Sequence, residues 1–230
     1  MSANLMSLAR SGGKFLKLFG DRKMMKTMPT ARDYVQDGLV AMWDGIENAG
    51  WGVHDQNATT CVDIVGGVHA FRGISEPMAF VVGTGSQFFD IDTTDATTIE
   101  WLWRDSGTTR NCQIYTHTKS NSLRYQVSDV RTTYTSYQIR YWNGAEQVSI
   151  YPMNKTVRAG AVTYSDGVFN VYGDGLVRGT YSDASASEST YFSASKETAF
   201  NCIRIYSRAL TADEIAANYA IDKARFNLPD

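Results

Sequence analysis

The sequence predicts an all-β protein: two stacked antiparallel sheets, closed by one short C-terminal helix. Three observations carry this. Apolar residues alternate with polar ones in many short runs, glycine-containing turns separate those runs, and a single well-capped helical segment stands near the chain end. Nineteen glycines and thirteen tyrosines in 230 residues suit half-buried strands joined by tight turns. A chain of this length buries a full core without cross-links.

The chain opens on a basic arm, residues 1–35, that is a different object from the body, residues 36–230. Residues 1–33 hold seven of the 22 Lys and Arg but only Asp21 and Asp33 of the 24 acidic residues, a local balance of +5 against about −7 for the rest. Arg10, Gly12, Gly13, Lys14 and Lys17 interrupt any apolar run, so the arm is not a classical signal peptide. No stretch approaches the roughly 20 apolar residues of a membrane span. Phe15, Leu16, Leu18 and Phe19 suit an amphipathic turn or two, and Met24, Met25 and Met28 add soft apolar surface before Pro29. The expectation is an extended or partly helical arm that docks onto other protein subunits. A solvated tail and a membrane-surface helix are the alternatives, and the acidic body argues against nucleic acid.

In the body, "TIEWLWR" (98–104) sets Ile99, Trp101 and Trp103 on one face and Thr98, Glu100 and Arg104 on the other, with Leu102 out of place on the polar side. "SYQIRYW" (136–142) alternates Tyr137, Ile139 and Tyr141 with Gln138 and Arg140. Asp166-Gly167 and Asp174-Gly175 bracket "VFNVY", and Asp-Gly accepts the positive φ of tight hairpins, which predicts a three-stranded meander. Further short strands are expected at "QIYTHT", "LRYQVS", "VSIY" and "CIRIY". Short strands without intervening helices predict a two-layer sandwich. In the terminal helix, Thr211 and Glu214 form a capping box and Leu210 with Ile215 a hydrophobic staple, while Ile215, Ala216, Tyr219 and Ala220 supply the apolar stripe. A helix so equipped is expected to stop and to cover the closing strand.

The three cysteines, Cys61, Cys112 and Cys202, show no C-x-x-C spacing and read as buried or half-buried thiols, one disulfide with a spare thiol being the alternative. His54, His69 and His117 lie in no metal or nucleophile motif, and "GTGS" (83–86) lacks the Lys and the following helix of a phosphate loop.

"IYSRALTADEIAANYA" resembles the closing segment of laminin G-like, concanavalin A-like jelly-roll domains. "DGLVAMWDG" (37–45) is similar to their opening strand, "FFDIDTTDATTIEWLWR" to the following strand pair, and "TVRAGAVTYSDGVFNVYGDGLVRGTY" to their meander. The likeness covers about residues 37–226. The stretch "GLVAMWDGIENAGWGVHD" also resembles proteins of gut bacteria and their phages, where such domains are joined to surface or virion components. The resemblance implies a two-sheet jelly roll, often with calcium, that often binds glycans or proteins.

It also implies where to look for sites. Laminarinase-type relatives use a Glu-x-Asp-x-(x)-Glu strand, and no such triplet occurs here; Asp90, Asp92 and Asp95 include no Glu. The expectation is a protein that is not an enzyme. Relatives place calcium ligands near the first strand and before the last, which points to Asp44 and Asn201, with ordinary turn-satisfying roles as the alternative. Glycan binding needs aromatic faces beside polar groups, which points to Trp51, His54 and Asp55 in "GWGVHD" and to Trp142 and Asn143 in "YWNG". Burial as corner aromatics is the alternative for both tryptophans. The expected function is a non-catalytic adhesion protein, anchored by its arm in an oligomer, phage virion or bacterial surface structure and able to bind host glycans. The alternatives are a soluble carbohydrate-binding module and a divergent glycoside hydrolase.

Overall fold

The structure, a computed structural model, describes residues 28–67, 70–72, 78–82, 90–92, 96–103, 116–117, 124–128, 136–142, 147–154, 159–182, 189–191 and 198–228. Among these the alternating runs form fifteen strands: β1 (Leu39–Asp44), β2 (Thr60–Val62), β3 (Ala70–Arg72), β4 (Phe80–Val82), β5 (Asp90–Asp92), β6 (Ala96–Trp103), β7 (Thr116–His117), β8 (Arg124–Ser128), β9 (Ser136–Trp142), β10 (Gln147–Asn154), β11 (Ala159–Ser165), β12 (Val168–Gly173), β13 (Leu176–Ser182), β14 (Ser189–Tyr191) and β15 (Thr198–Tyr206). One helix, Ala212–Phe226, follows β15. The class is all-β with a short C-terminal helix, as expected.

The main sheet runs β1-β15-β6-β11-β12-β13, and β4 pairs with β15 beyond the end of β1. Its ladders are antiparallel. The Asp-Gly pairs make the hairpins of the meander: Asp166 and Gly167 lie at φ 50° and 73°, Asp174 and Gly175 at 50° and 75°. A second sheet, β10-β9-β8, approaches the first at β13.

Both faces of the main sheet are buried. Trp43, Ile99, Trp101, Val162, Phe169, Val171, Ile203 and Ile205 alternate onto one face. Gly160 lies opposite Trp101 in register because the indole crosses it; a Cβ there would stand 2.2 Å from the ring. The other face carries Met42, Leu102, Ala159 and Cys202 in one cluster with Ala31, Tyr34 and Phe226, and Ala161, Tyr172 and Tyr206 in another with Leu210 and Ile215. Leu102 is therefore not misplaced: the face read as polar is a second core, under the helix.

The helix covers this face with unexpected residues. Thr211, Glu214, Leu210 and Ile215 form the cap and staple as read, but Ala216 and Ala220 are exposed. Its buried residues are Ile215, Asn218, Asp222, Arg225 and Phe226. Asp222 holds Arg204 of β15 through two hydrogen bonds of 2.7 and 2.8 Å, and Arg204 Nε donates to Glu100 of β6 at 2.8 Å. Asn218 donates to the same Glu100 oxygen at 2.8 Å. Arg225 reaches Asp44 at the end of β1, at 2.6 and 3.1 Å. Burial pushes the carboxyls of Asp44 and Glu100 up, and the facing guanidinium groups pull them back.

Residues 30–35, assigned above to the arm, belong to this layer. Thr30 caps a short turn, Ala31–Asp33, that buries Ala31. Tyr34 donates its hydroxyl to Asp222 at 2.7 Å and lies under the Arg204 guanidinium, 4.1 Å from the ring centre. The arm's boundary therefore falls before Thr30, because Tyr34 completes the surroundings of a buried ion pair. Cys61 and Cys202 are free and buried, as expected, with the Cys61 thiol pushed up to about 12 by burial; Cys112 lies outside the described residues.

Asp222→Ala leaves the buried Arg204 with Glu100 as its one carboxylate and strands the Tyr34 hydroxyl, and is expected to cost about 3–5 kcal/mol in chemical denaturation, against about 1 kcal/mol for Thr211→Ala at the exposed cap. Glu214 supplies an acid-sensitive increment. Arg208 beside it, with the Thr211 N–H, holds its carboxyl down to about 2 from 4.5, so this stabilisation is present above pH 4.5 and is lost as pH falls towards 2. Glu214→Gln is expected to remove the part of the acid dependence that falls in this window, as read by helical circular dichroism.

Candidate functional site

The loop after β1 is the best-built surface feature among the described residues. Asp44 turns the chain by accepting the N–H groups of Ile46 and Glu47 at 2.8 and 2.9 Å. Asn48, fully buried, then clamps the loop base. Its amide donates to the Asp55 carbonyl at 2.9 Å and accepts the Asp55 N–H at 2.8 Å, which imitates a backbone pair. Between these points a small hairpin forms, with Ala49 N–H donating to the Val53 carbonyl and Val53 N–H to that of Gly50.

Trp51 occupies the tip of that hairpin, flanked by Gly50 at φ 142° and Gly52 at φ 69°. Both values favour glycine, and a Cβ at either position would meet nothing within 4 Å, so the space beside the tip is open. The indole is half-buried against Ala31, Ile64 and their neighbours. The Arg32 guanidinium lies over it, 4.6 Å from the ring centre. His54 is exposed, and because a carbonyl only accepts, its Nδ1 carries the proton donated to Ile46 O at 2.7 Å. Asp55, also exposed, accepts from Asn57 N–H at 2.8 Å.

One carboxylate ties this loop to its surroundings. Glu47 Oε1 accepts from Ala31 N–H at 2.6 Å and from Arg225 at 3.1 Å, and Oε2 accepts from Gly52 N–H at 2.7 Å. The loop tip, the residues after the arm and the terminal helix thus share one side chain.

The structure brings Trp51, His54 and Asp55 into this single loop. Trp142 ends β9, opposite Arg124 and Gln147; its side chain and Asn143 lie outside the described residues. Asp44 and Asn201 are close, since Gly45 N–H donates to Asn201 O at 2.8 Å. Yet the Asp44 carboxylate is taken by Arg225 and two N–H groups, and the Asn201 amide donates to Met78 O at 2.6 Å. This pair does not fit a calcium ion: the guanidinium already supplies the positive charge. Among the described residues no cluster of three metal-ligating side chains occurs. Asp92, Ser189 and His117 stand in one register row across β5, β14 and β7; Asp95 and His69 lie outside the described residues. Arg32, Glu47 and Asn48 were not singled out from sequence. Only the first left a trace, since Thr30-Ala-Arg-Asp33 is itself a capping-box pattern.

No protein-family model and no curated protein matches the sequence. Solved structures do. The binding domain of botulinum neurotoxin DC, in complex with SialylT, matches at TM-score 0.51 and 11% identity, over 80% of this chain and 51% of that one. Botulinum neurotoxin type C, which depends on two ganglioside molecules to enter cells, matches at 0.50 and 12%, with the same coverage. A Trypanosoma rangeli sialidase gives 0.48 and 16%, over 84% of this chain and 33% of that one. The chain thus spans about half the length of the neurotoxin chains and a third of the sialidase. At such identities the neurotoxin likeness is one of fold, that of β-sandwich domains.

Glu47→Ala is expected to release the Ala31 and Gly52 amides, raising their hydrogen-exchange rates about tenfold or more, while Glu47→Gln, with one acceptor oxygen in place of two, protects one of the two amides and leaves the other fast.

Proposed function

We propose that this chain is a non-catalytic, glycan-binding adhesion module, attached through its N-terminal segment to other subunits of a larger assembly such as a phage virion or a bacterial surface structure. The observation that carries the glycan reading is the Trp51 hairpin: an indole at a loop tip, open space beside both flanking glycines, and exposed His54 and Asp55 in the same clamped loop. Sugar C–H faces pack on aromatic rings while imidazole and carboxylate groups take the hydroxyls. A loop held in place before binding loses little entropy on binding. The fold likeness to the neurotoxin binding domains, one of them solved with SialylT, is consistent with this use of the scaffold.

The attachment reading rests on the charge division. Five net positive charges lie in residues 1–33, and the chain enters the body at Thr30 through a capped, buried turn. A segment anchored so firmly at its base transmits whatever it grips to the domain.

Two measurements test these halves separately. On a glycan array the protein is expected to bind a defined set of sugars, and Trp51→Ala to weaken binding about tenfold or more, equivalent to about 1.4 kcal/mol; an array silent for the intact chain overturns the glycan half. Deleting residues 1–27 is expected to convert an assembled species to monomer in a solution mass determination. Unchanged mass overturns the attachment half.

A further inference from the structure

We infer that Arg32 is a ligand-binding residue of the Trp51 site and makes it selective for sugars that carry a carboxylate. This rests on the glycan reading proposed above and names its ligand class. The argument begins with the surroundings of the guanidinium. Arg32 is exposed, and among the described residues no hydrogen bond or ion pair engages its side chain. Four carboxylates stand nearby in sequence or in the loop. Each is committed elsewhere. Asp33 accepts the Thr30 N–H and hydroxyl at 2.6 and 2.9 Å. Glu47 is shared by Ala31, Gly52 and Arg225. Asp55 takes the Asn57 N–H, and Asp37 pairs with Arg208 at 2.8 Å.

The guanidinium is nonetheless positioned. Its stack on Trp51 at 4.6 Å and the seating of its neighbours, Ala31 on Glu47 and Tyr34 on Asp222, fix both ends of its short segment. The guanidinium carbon lies over the ring, and its planar fork of N–H donors is taken by no acceptor among the described residues. Such a fork matches the two oxygens of a carboxylate, and little side-chain freedom remains to be lost when they pair. The open space beside Gly50 and Gly52 gives a sugar ring room at the same tip, where the exposed His54 ring can hydrogen-bond a hydroxyl.

Electrostatics explains why a local cation is needed. Beyond residue 33 the chain carries about seven more acidic than basic charges, a net balance that disfavours an anionic ligand. Arg32 offsets this at one point. The site is therefore bipartite: β1's loop contributes the ring, and the segment that follows the arm contributes the charge.

The test compares binding of 3′-sialyllactose, a galacturonate oligosaccharide and neutral lactose to the full chain by calorimetry. The intact protein is expected to bind at least one acidic sugar about tenfold or more tightly than lactose, with the preference shrinking as salt rises. Whichever acid is preferred identifies the source of the carboxylate. Arg32→Ala is expected to bring the acidic-to-neutral ratio close to one, and Arg32→Lys, which keeps the charge without the fork or the stack, to give an intermediate ratio; Arg32→Gln and thermal melts control for folding. An unchanged ratio in Arg32→Ala, or no acidic preference in the intact chain, overturns this inference and leaves the glycan reading standing. Absence of binding to every sugar here and on the array overturns both.

Discussion

Two arginines buried between the terminal helix and the main sheet, Arg204 and Arg225, decide how the rest of the molecule must be arranged. An ion taken out of water is tolerated only with its partners complete, and here each guanidinium faces two carboxylates: Glu100 and Asp222 around Arg204, Asp44 and Glu47 around Arg225. Four negative groups around two positive ones would repel unless neutral donors shared the load. They do. Asn218 donates to Glu100, the Tyr34 hydroxyl to Asp222, the Ile46 and Glu47 amides to Asp44, and the Ala31 and Gly52 amides to Glu47. The donors come from the helix, the first loop and the residues before β1, so these three parts are positioned together against the sheet.

This arrangement gives the Trp51 hairpin its rigidity. A loop on one side of a sheet is ordinarily free to vary, because it is held only by its own turns. Here Glu47 reaches back to Arg225 and outward to Gly52, so the tip is fixed to the core through a single carboxylate. The same carboxylate seats Ala31, and Arg32 follows immediately over the indole. The place where the N-terminal segment joins the body and the surface proposed to meet ligand are therefore one structural unit.

Much of the fold was legible from short-range signals. Asp166-Gly167 and Asp174-Gly175 announced the meander because a two-residue turn with positive φ needs those residue types and no distant partner. Thr211 and Glu214 announced the helix start for the same reason. Trp51, His54 and Asp55 were singled out as an aromatic beside polar groups at an apparent loop position, and they lie in one loop. The errors lie elsewhere. Ala216 and Ala220 were assigned to the buried stripe while Asn218, Asp222 and Arg225 were left outside, and Glu100 was set on a polar face that is in fact covered. Asp44 read as a cation ligand, and a guanidinium holds it instead. Tyr34 read as part of a free arm.

What the sequence determined by itself was the local grammar: strand runs, hairpin turns, the capped helix and the division of charge between head and body. Each follows from bonding within a few residues. Only the tertiary structure decided which polar groups lie inside, since a charged side chain is a surface residue until its partner is known. Those partners are 104 residues apart for Arg204 and Glu100, 181 for Arg225 and Asp44, and 188 for Tyr34 and Asp222. No periodicity along the chain encodes contacts at such separations. Folding alone brings them within hydrogen-bond reach, and the low-dielectric interior then makes each of them obligatory.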